Sequence, residues 1–355
     1  MIDLLVMIDI RSRTEGVAGS VRSVRATIKD VARLAQVSPK TVSNVVNGSA
    51  PVSDAMRARV EAAMLELDYV PNFSARALRN GRSGLIALAL PDLSTPYSAE
   101  MAHHFVTLAG ERGLGVQVEE IALSGEREMQ LIFKARAHLI DGLVLNPVML
   151  QNVTVQPGLT LPPTVFIGEV DQNVGDHVWV DNVSAARELT QHLIDLGHRR
   201  IAIMGVMKSE TSRLRLKGYR AALRRAGITR DATLEIADDA WYPAGSYAAT
   251  IRHLERHDLP DAIVCMTDSI ALGVLSALWT LGHRVPDDVS VVGYDNIADG
   301  AFAVPPLTTI DFDKPTYAAT VLDLLEARIA DPNRPVQRIT TPHRLLVRAS
   351  TAPRS

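Results

Sequence analysis

Apolar residues at Ile28, Val31, Ala32 and Ala35 fall on one face of a short helix, and Val42, Val45 and Val46 mark the buried face of a second. Gln36 and Val37 make the turn between them. Thr27 with Asp30 three residues on is a helix-start signal, because a hydroxyl and a carboxylate both suit the positive end of a helix. Ser38 caps the second helix. Pro39 takes its first position, where a missing N–H does no harm, and Asn47-Gly48 ends it. Lys40, Thr41, Ser43 and Asn44 are left facing outward. The pattern is that of a helix-turn-helix, whose second helix fits the major groove, where Lys and Asn suit guanine and adenine edges. An ordinary helical corner with a wet polar face shows the same pattern.

After a loop, Ser53 caps a third helix in which Val60, Met64 and Leu67 recur on one side, closing a three-helix core with Ile28, Val31 and Val42. Tyr69-Val70-Pro71 breaks it. The stretch from Asn72 to Arg79, stopped by Asn80-Gly81, is too short to be a stable helix in water by itself. Arg76 and Arg79 suit phosphates, while Leu78 either wedges into a minor-groove step or packs on the next domain.

From Gly84 the texture becomes alternating buried strands and amphipathic helices. The pattern predicts strands at 85–90, 116–118, 142–146, 165–168 and 178–180, with helices at 99–112, 126–137 and 183–196. It restarts with strands at 201–204, 262–266 and 289–294 and helices at 214–226, 246–256, 269–281 and 317–329. Repeated βα units mean parallel sheets covered by helices, and two rounds of them mean two similar lobes. Ligands of such sheets bind beyond the C-terminal strand ends, here in the cleft between lobes.

Composition sharpens this picture. A length of 355 residues suggests two or three domains, and 47% hydrophobic with 22% charged residues describes a soluble globular protein. The net charge of −3 hides a division: residues 1–82 hold 12 Lys/Arg against 8 Asp/Glu (+4), leaving 25 against 32 (−7) for the rest. A basic head on an acidic body fits a small DNA-reading module on a larger domain of another kind. Cys265 is the only cysteine, so no internal disulfide forms and a reducing cytoplasm, with the nucleoid, is the expected home. The opening MIDLLVMIDI holds Asp3 and Asp9 and no basic leader, which reads as neither a secretory signal nor a membrane span. Residues 1–25 are expected to be a poorly ordered extension.

Polar residues gather where strands run out: Asp92, Ser94, Tyr97, Asn146, Thr267, Asp268, Asp295 and Asn296, with Arg215 near a helix start and Trp241 in a loop. Carboxylates, an arginine fork and an aromatic plane in one cleft suit a polyhydroxylated ligand. Taken singly, each is also a helix cap or loop residue, Asp268 and Ser94 above all. No GxSxG, HExxH or GxxxxGK[ST] occurs, and the adjacent His103-His104 face different sides of a helix. No catalytic residue, metal site or cofactor is therefore expected. A sugar-processing enzyme or a free-standing solute-binding protein is the rival reading. The enzyme leaves the head unexplained, and the binding protein needs an export signal.

The chain resembles the lactose-repressor (LacI/GalR) family of bacterial transcription regulators from Ala26 to about Thr351. The likeness rests on TIKDVARLAQVSPKTVSNVVNG, VSDAMRARVEAAMLELDYVPNFSARALR, HLIDLGHRRIAIMG, RLKGYRAAL, TDSIALGVL and VPDDVSVVGYDN. It implies an all-α helix-turn-helix head (26–71), a hinge helix and linker (72–83), and an α/β two-lobed core like type I periplasmic binding proteins (84–350). The lobes then comprise about 84–197 with 312–332, and 198–311 with 333–350. By position, Pro39, Lys40 and Asn44 match base-reading residues, although Pro39 departs from the polar residues common there. Leu78 matches the leucine that pries open a central minor-groove step with its dimer mate. Arg215 and Asp295 match the pair that holds the effector, and Trp241 an aromatic that stacks on sugars. Ser98 stands where many members have an aromatic.

The DNA-contact candidates are thus Thr27, Ser38, Pro39, Lys40, Thr41, Ser43, Asn44, Asn47, Arg76, Leu78 and Arg79. The effector-contact candidates are Tyr97, Asn146, Arg215, Trp241, Asp268 and Asp295. The resemblance implies a repressor, not an enzyme, that binds a near-palindromic operator and a small effector, with carbohydrate favoured over purine. The family's leucine tail is absent after Ser350, which implies a homodimer.

Overall fold

Among the described residues, three helices around three valines are followed by two six-stranded sheets of like design. The computed structural model describes residues 26–47, 50–69, 82–122, 124–137, 140–147, 161–169, 175–238 and 241–354. The chain divides into a unit of residues 1–75 and one of residues 76–355.

In the head, α1 (Ile28–Leu34), α2 (Pro39–Asn47) and α3 (Asp54–Glu66) meet at Val31, Val42 and Val60, each 0% exposed. Val46, Met64 and Leu67 pack around them. Asp30 accepts from the N–H of Thr27 at 2.9 Å and from its hydroxyl at 2.6 Å, tying down the start of α1. Ser38 Oγ accepts the Thr41 N–H at 3.0 Å and so caps α2. Gln36 turns the chain with φ 54°, and Arg59 of α3 donates to the carbonyls of Ala35 and Gln36, holding that turn against the third helix. Two expectations need correction. Ser53 stands at the cap position of α3 without a side-chain cap bond. Ser43 is buried, not outward, because its small side chain sits at the edge of the valine stripe, next to Val42.

The first lobe is a sheet of order β11-β5-β4-β3-β1-β2, parallel throughout: β1 (Leu85–Leu90), β2 (Gly115–Glu120), β3 (Gly142–Leu145), β4 (Thr164–Ile167), β5 (Asp176–Val180) and β11 (Arg338–Thr341). Its strand β1, LIALAL, one in from the edge, is an unbroken apolar run because both faces are covered. On one face lie Met101 and Phe105 of α4 (Pro96–Glu111) with Val321 and Leu325 of α11 (Lys314–Ala330). On the other lie Leu131 and Ile132 of α5 (Gly125–Ala137).

The second lobe has the order β12-β10-β9-β8-β6-β7: β6 (Ile201–Val206), β7 (Glu235–Ala237), β8 (Ala262–Cys265), β9 (Ser290–Tyr294), β10 (Thr308–Asp311) and β12 (Arg344–Leu346). Only β12 runs antiparallel to its neighbour. Covering it are α6 (Asn182–Asp195), α7 (Glu210–Arg225), α8 (Pro243–Leu254) and α9 (Asp268–Thr280), and the short α10 (Ala298–Phe302) follows β9.

The chain passes between lobes after β5, after β10, and between β11 and β12. Two of these passages differ from the boundaries expected near 197 and 333. Helix α6 packs on α7 of the second lobe, where Gly218 has no side chain to obstruct the Val183 carbonyl. The short stretch at 338–341 adds to the first sheet beside β5, with Thr341 opposite Val180.

Candidate functional site: the interlobe cleft

At three of the helices that begin at the cleft, a hydroxyl turns back on the helix's own backbone. Thr95 accepts the Ser98 N–H of α4 at 3.3 Å, Ser209 that of Ser212 in α7 at 3.2 Å, and Thr267 that of Ile270 in α9 at 3.1 Å. Strands β3, β4 and β9 run out beside them, delivering Asn146, Glu169 and Asp295. The cavity so formed measures about 130 Å³, room for one small molecule.

Arg215, on the second turn of α7, is 6% exposed. Its Nε donates to Asn182 Oδ1 at 2.7 Å, one terminal nitrogen donates to the Met266 carbonyl, and the other stands 3.6 Å from the Asp295 carboxylate. Beneath it, the Tyr294 ring centre lies 3.5 Å from the guanidinium carbon, a cation–π contact. The fork is thus fixed in plane and direction before any ligand arrives.

Asp295 is held at φ 105°, a backbone region rarely used by residues other than glycine. Burial lifts its carboxyl to about 7, with Arg215 and Lys314 pulling the other way. Trp241 donates its Nε1–H to the Gly205 carbonyl at 2.8 Å, so its polar edge is satisfied and its contribution to the cleft is apolar ring surface. Burial also raises the Tyr97 hydroxyl well above its ordinary range, so it stays a neutral donor and acceptor.

Of the effector-contact candidates, Tyr97, Asn146, Arg215, Trp241 and Asp295 line this one cavity. Asp268 does not. It is 0% exposed beside the sheet, where it accepts the Thr309 hydroxyl at 2.6 Å and the Ile297 N–H at 2.9 Å. Gly293 leaves room for it, since an added Cβ would overlap Asp268 Oδ1. Burial, reinforced by the charge of Asp295, raises its carboxyl to about 8. Its neighbours Thr267 and Ser269 face the cavity instead.

Glu169 is the main contributor absent from the sequence reading. It accepts from Asn182 Nδ2 at 2.8 Å and from the Thr211 hydroxyl at 2.7 Å, joining the first lobe to helices of the second. Its position just after β4 was the available signal, by the same strand-end rule that finds Asn146 and Asp295.

In the head, Thr27, Ser38, Pro39 and Lys40 are exposed, Thr41 and Asn44 half-buried, and Asn47 closes α2. Arg76, Leu78 and Arg79 lie outside the described residues. Among the described residues no group of three or more His, Cys, Asp and Glu is placed to hold a metal ion, and no helix is long and apolar enough to cross a membrane.

Comparison with known proteins connects the two units. Residues 27–72 match the bacterial regulatory proteins of the lacI family, and residues 190–351 match a periplasmic binding protein-like domain. The ribose operon repressor of Escherichia coli (strain K12) is 36% identical over 337 residues, covering 92% of this chain and 99% of that protein. The HTH-type transcriptional repressor CytR of the same strain is 35% identical over 288 residues, covering 80% and 84%. Among solved structures, the lac repressor dimer bound to operator and the anti-inducer ONPF aligns with a TM-score of 0.80 at 32% identity, covering 92% of this chain and 99% of that one.

Proposed function

The chain belongs to the lacI family of bacterial regulatory proteins, a DNA-binding transcriptional regulator with an effector-binding core, and from that premise we propose how it works. As a homodimer it holds the two halves of a near-palindromic operator in the cytoplasm, and a carbohydrate in the cleft, as inducer or corepressor, switches that grip. The observation that carries the effector class is the Arg215–Asp295 pair. A fixed guanidinium and a buried carboxylate 3.6 Å apart offer donors and an acceptor to adjacent hydroxyls, while Trp241 supplies a flat apolar wall.

A ligand that favours one spacing of the lobes over another shifts the population between them. A differential affinity of a few kcal/mol is enough to switch occupancy.

A thermal-shift panel of neutral sugars, nucleosides and purines tests this reading, since a ligand at a hundred times its Kd stabilises by about 2.7 kcal/mol. A sugar should shift the transition, be recovered unchanged, and change operator affinity. A panel in which only purines or nucleosides do so would move the effector class. Turnover of the sugar would favour the enzyme reading.

A further inference from the structure

The backbone turn 295–298 carries more than the cleft needs. Its first residue, Asp295, faces the cavity. From the second lobe it is anchored residue by residue: Asn296 donates to Asp311 at 3.2 Å and accepts from Arg348 at 2.7 Å, and the Ile297 N–H goes to Asp268. From the first lobe, one carboxylate reaches across. Glu100 of α4 accepts the Ala298 N–H at 2.7 Å with one oxygen and pairs with Lys314 at 3.0 Å with the other. Lys314, the first residue of α11 and only 5% exposed, donates in turn to the Asn296 carbonyl at 2.8 Å.

A buried ammonium and a carboxylate therefore close on two backbone groups of the opposite lobe. Charge-assisted bonds of this kind are short and directional, so they fix distance as well as favouring contact. The same helix α4 supplies Tyr97 and Ser98 to the cavity wall, within three residues of Glu100. Both walls of the cleft are thus tied together by one turn.

We propose that Glu100 and Lys314 form a clasp that sets the spacing of the two lobes by gripping the turn that begins at Asp295. They are positioning residues, which touch no ligand but fix where the two faces of the cavity stand. The proposal rests on the cleft being the effector site, yet its test uses no effector, so the two readings fail separately.

The measurement is the distance between spin labels at Glu126→Cys in α5 and Lys217→Cys in α7, both exposed positions on different lobes. Full-length protein is used, diluted with unlabelled chain so that one subunit of a pair reports, and the fully buried Cys265 takes no label. The clasp predicts one narrow distribution for the parent protein and a longer, broader one for Glu100→Ala. Glu100→Gln, which keeps an acceptor for Ala298 but loses the ion pair, should fall between them. Lys314→Met should shift in the same direction as Glu100→Ala. Melting curves check that each variant folds, and Glu100→Gln, nearly identical in shape, keeps the test valid should Glu100→Ala fail to fold. Unchanged distances in Glu100→Gln and Lys314→Met, with or without a lower melting temperature, would overturn the clasp.

Discussion

The guanidinium of Arg215 and the carboxylate of Asp295, both almost fully buried, stop 3.6 Å apart, just beyond hydrogen-bonding distance. Burial raises the carboxyl to about 7 while the cation opposes that rise, so the pair sits near the balance point between neutral and ionised forms at physiological pH. A ligand hydroxyl that bridges the gap completes both groups at once.

Arg215→Ala should move the effector response to much higher ligand concentration while leaving a protein that still binds its operator. Hydrogen bonds to a charged group contribute about 1.5–3 kcal/mol, so effector affinity should fall roughly 10- to 150-fold. Calorimetry with the sugar found by thermal shift, set beside operator binding without it, checks both halves.

Asp295 makes stability depend on pH in an unusual direction. Its folded carboxyl titrates at about 7 against 3.8 when free, so between those values the folded protein holds a proton that the unfolded chain has lost. That contribution is complete below about pH 4 and disappears as the pH rises through 7. Asp295→Asn should flatten the fall in stability across this window by up to about 1.4 kcal/mol per pH unit, measured by denaturant unfolding at several pH values. Parallel slopes for the two proteins would contradict the assignment.

Gly218→Ala should damage both fold and cleft. The new methyl would overlap the Val183 carbonyl and stand 2.9 Å from the Ala186 Cβ, pushing α7, with Arg215 on it, away from α6. Overpacking of this kind costs about 1–3 kcal/mol. Gly110→Ala, where a Cβ meets nothing within 4 Å, should be neutral or gain up to about 1 kcal/mol from better helix propensity. Thermal melting separates the two.

Lys40 stands exposed on α2, and Lys40→Ala should cost about 1–3 kcal/mol of operator affinity with relaxed choice at one base position. Parent affinity should fall steeply with salt as phosphate contacts release counterions. Binding assays across salt concentrations and single-base operator variants measure both.

Much of this was legible in the sequence because long apolar runs such as LIALAL and SVVGY permit little but buried parallel strands. Strand ends then located Tyr97, Asn146 and Asp295 without any knowledge of three-dimensional contacts. Several edge and polar strands were not legible. RITT and RLL are too short to show a period, and β10 buries Thr308 and Thr309, whose hydroxyls are satisfied by groups distant in sequence. Asp268 failed for the same reason, since whether it faces the cavity or the sheet depends on Thr309 and Ile297, which no local pattern brings near. The lobe boundary at 181 was hidden because α6 reads as a good amphipathic helix against either sheet.

Three passages of chain join the lobes, after β5, after β10 and between β11 and β12. A single connection would act as a swivel, and two as an axle about which either lobe turns freely. A third passage adds a further restraint on spinning and sliding of the halves. Whatever enters between them therefore meets two halves whose relative motion the chain itself has narrowed.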